Sequence, residues 1–352
     1  MSTRMSARSD TTGMPAAAER ISPDLIFDIG FGFWKSKALL SAVELGVFTA
    51  LGDGPLDGDT LIERVGIHRR GGRDFLDALV ALDLLDRSAA GHYTNRPDCA
   101  IYLDARNPSY IGGALERLNE RSYESWGHLS EALRTGSGGT TLAKGGYAGV
   151  YADDAAFKIF LRAMTGSSLM PAQALAKIFP WHRHATVIDI GTAQGCVPVE
   201  IARAHPHLRG GGFDLPQVEP AFRDYVRGNG LSDRLEFYPG DFFRDDLPRA
   251  DVLIMGHILH NWDLPTKKLL LRKAAQALPD GGALIVYDNL IDDERRHRPH
   301  SLLASLNMLI ETPAGFEFTE QECIEWMREA GFREVRTERL DSIKKTAAIA
   351  IK

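Results

Sequence analysis

Apolar residues along the chain keep two different rhythms. From Pro23 to about Tyr102 they recur at helical spacing. Leu39, Leu40, Val43, Leu45, Val47, Phe48 and Leu51 form one stripe, and the run Phe75 to Leu82 forms a second. Gly52, Gly54, Pro55 and Gly58, then Gly66, Gly71 and Gly72, punctuate short helices. Leu85 to Thr94 fits a hairpin turning at Ala89-Ala90-Gly91. Helix, turn, helix and hairpin together outline a winged helix.

Asn107 to about Pro180 reads as further helices, Ile111 to Leu133 and Asp154 to Phe179, broken by a glycine-rich stretch from Gly136 to Gly149 that suits a lid or linker. From Ala185 the grammar changes. Short β-branched runs (TVIDI, GGFDL, LEFYP, ADVLIMG, ALIVYDNL, EVRTERL, TAAIAIK) alternate with longer helical patterns. Strands spaced by helices predict an α/β fold with a doubly wound, mainly parallel sheet covered on both faces. The last two runs are expected to pair as an antiparallel edge. The predicted division is a flexible tail at 1–20, a winged-helix-like helical domain at 21–105, linking helices at 106–180 and an α/β domain at 181–352.

Composition narrows the function. With 44% hydrophobic and 25% charged residues, the 352-residue chain has an ordinary globular make-up. Its net charge of -6 disfavours a nucleic-acid partner. The presumed second helix of the winged helix, around Asp74 to Asp83, carries acids where a groove-reading helix needs Arg and Lys, so dimerisation or walling of a substrate is the better expectation. Cys99, Cys196 and Cys323 lie far apart without metal-type spacing, which fits a reducing compartment. No signal-type segment opens the chain and no run of about 18 apolar residues follows, so a soluble, cytoplasmic protein away from membranes is expected.

In an open α/β sheet, chemistry gathers at the carboxyl ends of the strands. The first strand ends in DIGTAQG, where Gly191 and Gly195 permit a tight turn and close backbone approach. It is neither a P-loop nor G-x-G-x-x-G. The second ends at Asp214, placed to accept from ribose hydroxyls. Gly240-Asp241-Phe242-Phe243 follows the third, offering an acid for an adenine amino group and aromatic cover. The fourth runs into His257-Ile258-Leu259-His260-Asn261-Trp262-Asp263. Together these describe a nucleoside pocket with a catalytic edge.

DIGTAQG, DLPQV, GDFF and LHNW occur in that order. Over nearly its whole length the chain resembles the two-domain small-molecule O-methyltransferases of the caffeate, acetylserotonin and hydroxyneurosporene type, with their bacterial antibiotic-tailoring relatives. The resemblance implies a Rossmann-like methyltransferase sheet, S-adenosylmethionine as cofactor, a small-molecule acceptor and a homodimer formed through the N-terminal domain. It implies Gly191, Asp214, Asp241 and Phe242 at the cofactor, Trp262 stacked on adenine, and Met164 and Ser168 near the methionine end. It makes His260 the catalytic base, with Asp288 and Glu317 as flanking carboxylates.

The chemistry agrees. A phenol near pKa 10 keeps its proton at neutral pH, and in-line methyl transfer needs its oxygen lone pair free. Histidine titrates near neutrality, and a carboxylate on its far nitrogen fixes the tautomer.

The sequence departs from the family pattern at three places. Thr192-Ala193 replaces two glycines, Asn261 replaces an acid, and His257 stands where relatives commonly carry Arg, Lys or Trp. On a helical turn His257 and His260 share a face, so with Asp288, Glu311 or Glu317 they suggest a divalent-metal site. The alternative activity is then metal-assisted C-methylation of a 2-oxo acid through its enolate. A further alternative is a non-catalytic regulator. Trp126, Tyr123, Phe160, Met308 and Phe316 are candidate acceptor-pocket residues, while His297 and His300, in a charge run, read as a solvated loop.

Overall fold

The computed structural model describes residues 21–138, 150–151, 153–340 and 344–352. The expected tail at 1–20 and residues 139–149 of the glycine-rich stretch lie outside the described residues.

In the N-terminal part, β1 (Leu56–Asp57), β2 (Leu85–Arg87) and β3 (His92–Asn95) form a small antiparallel sheet in the order β1-β3-β2. Gly91 turns the hairpin with φ 82°. Val47, Phe48, Leu61, Leu76 and Leu79, all buried, knit the helices into one core. The second helix differs from expectation: it spans Arg69–Ala81, capped by the His68 side chain, and so starts with Arg69, Arg70 and Arg73 ahead of Asp74 and Asp77. Gly71-Gly72 reads as punctuation in sequence, yet a Cβ on Gly72 would lie 2.6 Å from Ile62 Cδ1. Glycine there serves close helix packing inside the helix rather than ending it. The helix therefore starts earlier than expected and carries arginines ahead of its acids.

The helix Asp154–Ile178 joins the two halves, with Pro171 inside it. Its later residues, Ala172 and Leu175, are fully buried beneath the large sheet, while Phe160, Met164 and Ser168 face the cavities described below.

Seven strands follow: β4 (Thr186–Ile190), β5 (Arg209–Asp214), β6 (Leu235–Pro239), β7 (Val252–Gly256), β8 (Ala283–Asp288), β9 (Glu334–Leu340) and β10 (Lys345–Ile351). Their order is β6-β5-β4-β7-β8-β10-β9. β4 to β8 are parallel, whereas β10 runs antiparallel to both β8 and β9. β7 and β8 are apolar without alternation because helices cover both faces. Leu253, Met255, Leu284 and Val286 pack toward Leu270, Leu271 and Met327. Val252, Ile254, Ala283 and Ile285 pack toward Leu175, Val197 and Ile201 on the other side. The order reverses between β4 and β7, which opens a crevice at their carboxyl ends. Among the described residues no helix is long and apolar enough to cross a membrane.

Candidate active site

The crevice starts with the loop after β4. Gly191 (φ 73°), Ala193 (φ 49°) and Gly195 (φ 89°) all adopt left-handed backbone, and Gly195 caps the helix Cys196–Ala204. A Cβ on Gly191 would lie 2.3 Å from Ile258 Cδ1, so both conformation and space call for glycine. Ala193 is a non-glycine in this conformation, and its N–H donates to Asp214 Oδ2 at 2.9 Å, tying the loop to β5. Thr192, the other departure, is buried against Gly212, where a Cβ would come within 2.2 Å of Thr192 Cγ2. The missing side chain on β5 makes room for the extra one on the loop.

Gly191, Asp214, Asp241, Phe242, Trp262, Met164 and Ser168, the residues the sequence singled out for the cofactor, all line one cavity. The Trp262 ring stands edgewise on Phe243, centroids 4.8 Å apart and planes at 89°, and on Phe242 at 6.0 Å and 80°. Asp214 also accepts from Leu215 N–H at 2.8 Å, and Asp241 from Phe243 N–H at 2.9 Å. Burial pushes the Asp214 carboxyl up to about 6, and that of Asp189, buried beside it, up to about 8.

A second cavity shares Phe160, Met164, His257 and Asn261 with the first and continues toward the helix Pro299–Glu311. Trp126 and Met308 line it, as does Glu311. Tyr123 and Phe316 do not. Tyr123 faces Phe33 and Trp34 on the N-terminal helices, and the Phe316 ring lies under the Lys267 ammonium at 3.4 Å. His300, assigned by sequence to a solvated loop, lies instead on the helix Pro299–Glu311 and lines this cavity while staying exposed; partial desolvation, with the Lys345 and Lys344 charges, lowers its pKa. His297 is exposed and pairs with Glu294. Asn289, Asn307 and Lys345 complete the polar wall. No periodicity or motif marks these last residues, because they arrive from different segments.

His260 lines the second cavity, between His257 and Asn261, which line both, on the short 3-10 turn Leu259–Asn261 after β7. His257 opens that turn with φ 56°, and Asn261 Nδ2 donates to His257 O at 2.8 Å, so the unexpected Asn fastens the turn. Gly315 lets the next segment pass: a Cβ there would lie 2.5 Å from His260 O. That close passage delivers Glu317. His260 Nδ1 lies 2.9 Å from Glu317 Oε1, which also accepts from Asn289 Nδ2 at 2.9 Å. Asp288, fully buried at the end of β8, places Oδ1 3.4 Å from the same Nδ1. Burial alone would lower the pKa of His260, but Asp288 and Glu317 outweigh it and hold it above the ordinary value. Burial lifts Asp288 to about 7. Glu317 stays below the usual carboxylate range despite its burial, held there by His260 and Asn289.

Residues 27–105 match the family model of O-methyltransferase dimerisation domains, and residues 126–333 match that of O-methyltransferase domains. The chain is 45% identical over 315 residues to the tetracenomycin polyketide synthesis 8-O-methyl transferase TcmO of Streptomyces glaucescens, covering 90% of this chain and 93% of that one. The chain belongs to the O-methyltransferase family.

Among solved structures, human N-acetylserotonin methyltransferase in complex with S-adenosylmethionine superposes with a TM-score of 0.87 at 28% identity, over 96% of this chain and 99% of that one. The protein is an S-adenosylmethionine-dependent methyltransferase, and the reading as a non-catalytic regulator is set aside. Membership does not by itself fix the accepting atom. The N,N-dimethyltransferase OxyT of Streptomyces rimosus is 36% identical over 88% of this chain and 91% of that one.

The methyltransferase site also holds a cluster with metal-ligand geometry. Ligand atoms of His257, His260 and Asp288 all lie within 4.8 Å of one another. Among the described residues, His257 Nε2 and both Asp288 carboxylate oxygens are buried without a hydrogen-bond partner, so these residues fit a divalent cation. Burial, Lys345 and His260 keep His257 neutral, the form that ligates. Of the other carboxylates considered, Glu317 is engaged with His260 and Asn289, and Glu311 lies 3.8 Å from Arg117 Nη2.

Proposed function

We propose that this methyltransferase moves the methyl group of S-adenosylmethionine to a hydroxyl of a small aromatic acceptor, with His260 as general base. The observation that carries this reading is the 2.9 Å bond between His260 Nδ1 and Glu317 Oε1, with His260 lining the second cavity. With the Nδ1–H donated to Glu317, the other ring nitrogen is left as the proton acceptor. His260 removes the hydroxyl proton while the oxygen–methyl bond forms, and Glu317 and Asp288 stabilise the imidazolium that results. Bound S-adenosylmethionine supplies an electrophilic sulfonium methyl.

In the same proposal Asp214 holds the ribose hydroxyls and Asp241 the adenine amino group. Phe242 and Trp262 cover the base, and Gly191, Met164 and Ser168 surround the methionine end. Phe160, Trp126 and Met308 provide an apolar slot for the acceptor ring. The division near residues 105 and 180 goes with this arrangement, the linking helices carrying Trp126, Phe160 and Met164. A homodimer is proposed through the N-terminal domain, where Phe27 (57% exposed), Phe33 and Trp34 (61%) present apolar surface. A cytoplasmic site of action fits its three free cysteines.

The deciding experiment follows a labelled methyl from S-adenosylmethionine into hydroxylated naphthalenes and anthraquinones and locates it on the product. Label on oxygen supports the proposal, and label only on carbon or nitrogen overturns it. A second reading, metal-assisted C-methylation of a 2-oxo acid, is favoured by the His257, His260 and Asp288 cluster alone. Stoichiometric divalent metal in the purified protein together with transfer to a 2-oxo acid would establish it.

A further inference from the structure

Lys345 has a place in the acceptor cavity that the proton-transfer scheme leaves unused. It opens β10, one residue before Thr346, which is in register with Asp288 on β8. The side chain is half-buried and lines the cavity beside His257 and His260.

An ammonium offers three N–H donors. Among the described residues the one hydrogen bond the Lys345 ammonium makes is to Asn289 Oδ1, at 3.3 Å, longer than a good N–H···O bond. Asp288 and Glu317 act on it through their fields without forming an ion pair with it, while burial lowers its pKa. A cation held in a cavity with so little satisfaction is costly until an oxygen arrives.

The position relative to the base is set by a chain of bonds. The Asn289 amide takes a hydrogen bond from Lys345 and gives one to Glu317 Oε1, the atom that holds His260. The ammonium and His260 therefore belong to one bonded polar group in a cavity that Trp126, Phe160 and Met308 also line. We propose that Lys345 is a specificity-determining residue that binds a second oxygen of the acceptor, a keto or carboxylate oxygen carried next to the hydroxyl that is methylated. The preferred acceptors are then ortho- or peri-oxygenated phenols rather than plain ones. This rests on the reading of the second cavity as the acceptor site.

The test measures binding by calorimetry with the enzyme saturated in S-adenosylhomocysteine, so that turnover is not required. The probes are 1-naphthol, 2-acetyl-1-naphthol and 1-hydroxy-2-naphthoate. Wild-type enzyme is expected to bind both oxygen-bearing probes about tenfold or more tighter than 1-naphthol. Tighter binding of the naphthoate than of the ketone marks charge pairing, and the reverse marks hydrogen bonding to a neutral oxygen. Lys345→Met is expected to bring all three within about threefold by weakening only the oxygenated pair, with cofactor affinity unchanged. Absence of any preference in the wild-type protein overturns the proposal without recourse to a variant. An equal loss for all three probes also overturns it, since Lys345 would then act only through Asn289. Retained preference without methyl transfer to oxygen would count against the proposed reaction and leave the role of Lys345 standing.

Discussion

Glu317 Oε1 and His260 Nδ1 are 2.9 Å apart although 57 residues separate them in sequence. The bond is buried: His260 is 7% exposed and Glu317 1%. Charge-assisted bonds of this kind gain strength where water is excluded, and they fix which ring nitrogen faces the substrate. Asp288 is a second carboxylate, 3.4 Å from the same Nδ1, whose side chain makes no hydrogen bond among the described residues. His260 thus has one partner that orients it and another that acts on it through its charge.

Removing the base should separate chemistry from cofactor binding. His260→Ala is expected to lower kcat by about 10²–10⁴-fold while leaving the Kd for S-adenosylmethionine within about twofold. Single-turnover rates and calorimetry read the two effects. Turnover near wild type would remove His260 from the mechanism.

The carboxylates predict a pH signature. His260 must be neutral to accept a proton, and its pKa is held above the ordinary histidine value of about 6.5. The activity, as kcat/KM, should therefore fall as pH drops through that raised pKa, with its acid limb above pH 6.5. Glu317→Gln removes one stabilising charge, so the acid limb should move to lower pH while the plateau drops about 10- to 100-fold through lost orientation. Asp288→Asn should move the limb in the same direction with a smaller loss of plateau. A limb that stays in place in both variants would show that neither carboxylate tunes the base.

The first cavity, proposed here for the cofactor, was legible in the sequence because most of its lining stands in local motifs at strand ends, DIGTAQG, DLPQV, GDFF and LHNW. The alternation of strands and helices likewise announced the sheet and its antiparallel edge. The acceptor side was less legible. Lys345 and Asn289 come from different strand ends and meet through the sheet order, with no spacing to link them. His300 sits in a charge run whose polarity says solvent, and it is indeed exposed, although it lies on the helix Pro299–Glu311 and lines the second cavity. Gly71-Gly72 misled in the opposite sense, since close packing on Ile62 and a turn call for the same residue.

Gly191 gives a steric prediction. In Gly191→Ala the left-handed backbone costs about 1–2 kcal/mol, and the new methyl meets Ile258 Cδ1. The melting temperature should drop by several degrees, about 2–4 °C for each kcal/mol, and cofactor affinity should fall at least about tenfold. Ile258→Ala in the same chain should recover part of the affinity by opening the space. No recovery would mean that backbone conformation alone decides.

Asp214 holds Ala193 and Leu215 N–H groups in place and lines the first cavity, the one proposed for the cofactor. Asp214→Ala frees both donors and removes the acceptor proposed for the ribose. The Kd for S-adenosylmethionine should rise about 10- to 100-fold, with kcat at saturating cofactor changed far less. A fall in kcat without a change in Kd would assign Asp214 to chemistry instead.

Two readings of one cluster diverge on metal removal. If His260 works as a proton acceptor, its Nδ1 belongs to Glu317, and a cation shared with His257 and Asp288 would compete for the charge that keeps His260 basic. Dialysis against a strong chelator should then leave turnover of a phenol within about twofold, and added divalent ions should leave it unchanged or inhibit. His257→Gln, which keeps a polar side chain but weakens ligation, should retain the pH limb set by Glu317. If the chelated enzyme instead loses more than about tenfold of its activity and zinc, iron or manganese restores it, the imidazoles of His257 and His260 are ligands, and the carbon nucleophile of a 2-oxo acid replaces the phenol as the acceptor.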